Sequence, residues 1–198
     1  MRKTLAGAMW ALAVVAAVVP IGDAWQLARA QANGVRDIRP EVRTAERAMN
    51  LLQQNLQTRL LAALQEGGAV GAVRVCRAAA QEITDTVARE QNIELGRTSH
   101  RLRNPVNAPR AWIVPYLEKA AGKPASEVQG AVVDMGDKIG VLRPIATGGM
   151  CLVCHGDPRA FTPELRETLA ELYPQDRAVG FREGEFRGFM WAEVKKAK

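Results

Sequence analysis

The sequence predicts an α+β fold in which long N-terminal helices are followed by an antiparallel sheet. From Val42 to Val87 the apolar residues return every three or four positions, which is the helical period. Beyond Gln91 they gather instead in short runs broken by Gly, Pro and Asn, the punctuation of strands and turns. No internal repeat, low-complexity segment or second domain boundary interrupts that order. With 198 residues, 47% hydrophobic and 24% charged, the chain has globular composition and enough length for one core.

The elements follow in order. Met1-Arg2-Lys3 is a positive start, the 18 residues Leu5 to Gly22 are apolar, and Ala28-Arg29-Ala30 is a small-x-small cleavage site. Residues 1–30 are therefore expected to be a signal peptide and 31–198 a single exported, periplasmic domain. An uncleaved membrane anchor is the rival reading, because 18 apolar residues are marginally enough to span a bilayer. Pro20, Gly22 and the Ala-x-Ala site favour cleavage.

After a short polar leader, Pro40 suits the first turn of a helix carrying Val42, Ala45, Met49, Leu52, Leu56, Leu60 and Ala63 on one stripe, ended by Gly67-Gly68. A second helix is predicted from Ala69 to Glu90, with Ala72, Cys76, Ala80, Ile83 and Val87 turned to the interior. Residues 93–98 form a candidate strand, and "RLRNPVNAP" a loop. Trp112 to Ala121 reads as a helix kinked or interrupted at Pro115. "GAVVDMGDKIGVLRPIA" reads as a hairpin about Gly136-Asp137-Lys138. Thr162 can cap a helix from Pro163 to Leu172, and "AVGFREGEFRGFMWAEV" reads as a second hairpin about a Gly-Glu turn.

Formal charge is +6, and removing Arg2, Lys3, Arg29 and Asp23 with the leader leaves +4. So small a surplus, with no Lys/Arg block, argues against a nucleic-acid partner. The three cysteines matter more. In an oxidising compartment thiols are normally paired, and an odd number leaves one over.

Residues 150–158, "MCLVCHGDP", place Cys151, Cys154 and His155 within five positions. This is the covalent haem attachment pattern: two thiols that add across vinyl groups, and an adjacent imidazole for the iron. A thioredoxin-like dithiol would need a strand–helix context that is lacking around Gly148-Gly149. A structural zinc could take Cys76, Cys151, Cys154 and either histidine, but Cys76 is far along the chain from the others and no second paired motif is present. Haem c is the favoured reading, with Gly148, Gly149 and Gly156 keeping the backbone close to a flat macrocycle. Leu152, Val153, Met150 and Phe161 are candidate apolar cover.

His155 then binds iron from one side, and the sixth ligand decides the function. His100 would give bis-histidine ligation; Met49, Met135 or Met190 would give the His/Met pair that raises potential. Cys76 is the stronger candidate, being on a buried stripe, without a disulfide partner, and protected from oxidation if bound to iron(III). His100 lies in a polar loop and is expected to be a surface histidine.

Four strings, "VRVCRAAA", "LGRTSHRLRNPVNAPRAW", "LRPIATGGMCLVCHGDP" and "YPQDRAVGFREGEFRG", in this order and at these distances, resemble the PAS-like c-type haem domains long catalogued as a domain of unknown function. The likeness spans roughly residues 40–190. It implies a PAS-like antiparallel sheet with flanking helices and one covalently bound haem. It also implies thioethers at Cys151 and Cys154, with iron between His155 and Cys76. No role follows for Arg97, Arg101, Arg103, Asn104 or Asn107, although arginines beside a haem could pair with its propionates.

The expected function is low-potential electron transfer with redox partner proteins. The alternative is a haem-based sensor, in which reduction or a small gas ligand releases Cys76 and a signalling partner reads the change. No acid/base pair, activated nucleophile or phosphate-binding glycine run is found, so the chain is not expected to be an enzyme.

Overall fold

The structure, a computed structural model, describes residues 38–197. The predicted signal peptide and its cleavage site lie outside the described residues.

Helix α1 (Arg39–Gln91) opens with Pro40 in its first turn, where the missing N–H is harmless, and closes at Asn92 in the left-handed region. It is two helices joined at a break. Gly67 (φ −138°, ψ 16°) and Gly68 (φ 59°, ψ −155°) leave the helical region, as the glycine pair predicted. The break folds residues 69–91 back beside 39–66. Ala45, Ala48, Met49 and Leu52 from the first half and Val87 from the second then share one buried cluster.

That cluster covers one face of a four-stranded antiparallel sheet in the order β1 (Glu94–Thr98), β4 (Phe186–Lys195), β3 (Lys138–Ala146), β2 (Ala131–Asp134). Leu95, Ile139, Val141, Met190, Ala192 and Val194 are the sheet's contribution. The opposite face is covered by Ile113, Leu117 and Ala120, which pack on Leu142, Phe186, Phe189 and Trp191. Pro115 does not kink its helix. A 3-10 turn over Ala111–Ile113 leads in, and Pro115 lies in the first turn of α2 (Val114–Ala120).

The first hairpin forms as predicted, β2 to β3 about Gly136, with Met135 N–H bonded to the Lys138 carbonyl at 3.0 Å. The second does not. Only residues 186–195 form a strand, and its partners are β1 and β3. Residues 177–181 bond elsewhere: Arg177 N–H to Leu102, Gly180 N–H to Gly156 and Phe181 N–H to His155, at 2.7–3.0 Å. Backbone donors already taken by the Cys-x-x-Cys-His turn cannot pair with a following strand.

Helix α3 (Leu152–His155) is a single turn, and α4 (Pro163–Leu172) is capped by Thr162, whose hydroxyl accepts from Leu165 N–H at 3.2 Å. A third cluster, of Val73, Phe161, Leu165, Leu169 and Tyr173, ties α4 to the second half of α1. The result is an α+β, PAS-like fold: a four-stranded antiparallel sheet with a long N-terminal helix and flanking helices. No helix among the described residues is long and apolar enough to cross a membrane.

Candidate functional site

The 3-10 turn Gly149–Cys151 runs directly into α3, so Cys151 and Cys154, three residues apart, lie near one face of a helical turn. Cys154 packs against the third cluster, which contains Val73. Cys76 follows Val73 by less than one turn on α1, and the thiols of Cys76 and Cys151 both act electrostatically on Cys154. The three cysteines that sequence reasoning singled out therefore meet in one place, half-buried and unpaired. Burial raises the thiol pKa of Cys76, opposed by the charges of Arg97 and Arg103, and burial likewise raises that of Cys154.

His155 is held by its neighbours. Its Nδ1 donates to the Ala178 carbonyl at 2.6 Å, so the lone pair lies on Nε2, free to bind a metal. Its own carbonyl accepts from Phe181 N–H at 3.0 Å. Burial, together with the charges of Arg187 and Arg103, keeps the imidazole pKa well below its usual 6.5, against the hydrogen bond to Ala178. The ring is neutral near pH 7, as a metal ligand must be.

The Ala178 carbonyl is itself positioned by an ion pair. Asp176 accepts Ala178 N–H at 2.8 Å and Arg103 Nε at 2.9 Å, while Arg103 Nη2 donates to Cys154 O at 2.5 Å and Ala178 O at 3.3 Å. Arg101 pairs with Glu185, donates to Val179 O at 2.9 Å and lies with its guanidinium carbon 3.5 Å from the Phe181 ring centre. Residues 176–187 thus form a strap that fixes the attachment turn. Sequence reading missed Asp176, Ala178 and Phe181 as site residues, although their string was among those carrying the family resemblance. A backbone carbonyl leaves no residue-type signal.

Arg187 lies at a bulge in β4: Gly188 pairs with Ile145 and Phe186 with Ala146, leaving Arg187 unopposed. Its Nη1 donates to Ser99 Oγ at 2.9 Å, and Nη2 lies 3.5 Å from His155 Nδ1. Burial and the cations Arg103 and Arg101 lower its pKa to about 10.

His100 is half-buried among aromatic rings and does not stand out into solvent as a loop residue. Its ring stacks on Phe186 (centres 5.9 Å, planes 10° apart) and meets Phe181 edge-on at 5.8 Å, and its Nδ1 is sealed from solvent without a hydrogen-bond partner. Phe181 also meets His155 edge-on, at 6.4 Å. Burial, with Arg101 and Arg187 alongside and Glu185 opposing, holds the His100 pKa below 6.5. The unfolded chain binds that proton where the folded chain does not, so the stability is complete above about pH 6.5 and falls as pH drops through it. The melting temperature is expected to be lower at about pH 5.5 than at about pH 7.5, with a smaller difference in His100→Gln.

The methionines considered as ligands lie elsewhere. Met49 and Met190 are buried in the sheet–helix cluster, and the Met135 methyl group lies beside Trp112 over Gly140. Met150 and Val153 are exposed, which leaves Leu152 and Phe161 as apolar cover beside the motif. No three His, Cys, Asp or Glu side chains among the described residues converge tightly enough to hold a bare metal ion. A flat macrocycle suits these donors better: two sulfurs three residues apart, an imidazole with Nε2 free, and a third sulfur on another helix.

No curated protein matches the chain. Among solved structures it is similar to a chain titled the cyanobacterial heme-protein Tll0287, with a TM-score of 0.62 and 24% identity over 81% of this chain and 98% of that one. That likeness shows a shared fold. Residues 23–194 match the family model described as Tll0287-like: Tll0287, and the chain belongs to the Tll0287-like family.

Proposed function

We propose that this protein is a monohaem c-type cytochrome of the periplasm that passes single electrons at low potential. The observation that carries the reading is the enclosed, neutral His155. It follows two unpaired cysteines in the chain at Cys-x-x-Cys-His spacing and keeps Nε2 for a ligand bond, and a third unpaired cysteine, Cys76 of α1, lies near Cys154. The solved relative's title as a heme-protein supports the same cofactor.

Cys151 and Cys154 would form the thioethers, and His155 and Cys76 would hold the iron. Haem supplies a one-electron iron couple when bound. The strap holds His155 in its binding tautomer through Ala178, while α1 and α4 supply the apolar cluster against which Cys154 packs. A thiolate from Cys76 favours the ferric state, hence the low potential.

Material matured in a host able to attach haem is expected to gain the mass of one haem and to show a low-spin ferric spectrum. In Cys76→Ala that spectrum changes and the midpoint potential rises. A His/Met-like potential with an unaltered Cys76→Ala spectrum would remove the thiolate. Rapid displacement by carbon monoxide after reduction would point to sensing in place of transfer.

A further inference from the structure

Arg97 and Arg187 are two largely buried guanidiniums that, among the described residues, have no carboxylate within ion-pair distance, the nearest opposite charges being the more distant Asp176 for Arg187 and the thiol and phenol of Cys76 and Tyr173 for Arg97. Arg97 shares the helix-facing side of β1 with Leu95, opposite Met190, and both of these belong to the apolar cluster. Its guanidinium is buried near Cys76 and Tyr173, and its Nε is sealed from solvent without an acceptor. Arg187 is aimed by the β4 bulge and anchored on Ser99 Oγ and the Arg101 carbonyl, at 2.9 and 3.4 Å. Its other nitrogen faces a His155 nitrogen whose proton is already given to Ala178.

The two arginines around them differ. Arg101 is paired with Glu185 and Arg103 with Asp176. Among the described residues, neither Arg97 nor Arg187 has a carboxylate within ion-pair distance. An enclosed charge without a close partner is destabilising. A bulge and a serine that hold such a charge beside an imidazole therefore point to an anion brought from outside.

We propose that Arg97 and Arg187 bind the two propionate carboxylates of the haem, Arg97 on the Cys76 side and Arg187 on the His155 side. This rests on the haem reading and adds the cofactor's polar edge to it. The charges close: a ferric porphyrin core carries one positive charge, which the Cys76 thiolate cancels, and two propionates then face two guanidiniums. The planar fork of arginine matches a carboxylate with two parallel hydrogen bonds.

The test uses matured holoprotein and the variants Arg97→Gln, Arg187→Gln, Arg97→Lys and Arg187→Lys, with exposed Arg43→Gln as control. Resonance Raman bands of the propionates and the pH dependence of the midpoint potential are the readouts. Each Gln variant is expected to shift a propionate band and to bring a propionate titration into the potential curve. Each Lys variant, which keeps the charge and loses the fork, shifts the band less, and Arg43→Gln leaves both unchanged. Unmoved bands and potential curves in Gln and Lys variants that carry haem by mass overturn the assignment and leave the haem reading intact. Wild-type protein at the bare polypeptide mass overturns both.

Discussion

Replacing both Cys151 and Cys154 with serine is expected to yield protein at its bare polypeptide mass, with Soret absorbance at background. A hydroxyl cannot form the thioether, and the haem reading gives the chain no other covalent tie. Single variants separate the two positions. Cys154 packs into the cluster of Phe161, Leu165, Leu169 and Tyr173, so Cys154→Ser also places a hydroxyl against apolar neighbours at about 1–3 kcal/mol. Cys151 belongs to none of the three core clusters, and Cys151→Ser is expected to cost less. Mass spectrometry reads the attachment and urea unfolding reads the difference. Haem still covalently bound in the double variant would show that these sulfurs do not form the attachment.

The largest stability effect is expected at Gly188. At φ 151° it occupies backbone space that side chains rarely adopt, and a Cβ there would collide with the Thr98 carbonyl oxygen and crowd Ser99. Backbone strain of about 1–3 kcal/mol and overpacking of about 1–3 kcal/mol act together. Gly188→Ala should therefore lose about 2–6 kcal/mol, a large part of the roughly 5–15 kcal/mol that holds a typical domain. At about 2–4 °C per kcal/mol the melting temperature falls by roughly 5–20 °C. Gly68→Ala is the control, because Gly68 also has a positive φ, 59°, but nothing within 4 Å of the added carbon. It should show only the strain. Equal losses at the two positions would mean that the tight crossing of β1 and β4 contributes nothing. Because Gly188 adjoins the Arg187 bulge and Ser99, the haem spectrum should change in Gly188→Ala and stay constant in Gly68→Ala.

Legibility followed the range of the interactions. Both halves of α1 were readable, since a helix repeats its apolar face every few residues and Gly67-Gly68 marks the break locally. The β2–β3 hairpin was readable for the same reason, as its turn and both strands lie within seventeen consecutive residues. Residues 178–185 alternate like a strand, but the Gly180 and Phe181 N–H groups go to the carbonyls of residues 156 and 155, and that of Gly184 to residue 147. His100 was misplaced by its polar sequence neighbours. Phe181 and Phe186, some eighty residues away, pack against it.

By itself the sequence determined the helix-then-sheet order and the spacing of Cys151, Cys154 and His155, because both are set by residues close together in the chain. Only the tertiary structure decided that Cys76 stands beside Cys154, that Ala178 selects the His155 tautomer, and that Arg187 lies against His155. Each of these is a meeting of groups about twenty to a hundred residues apart, and folding brings them together through apolar clusters that no local pattern encodes.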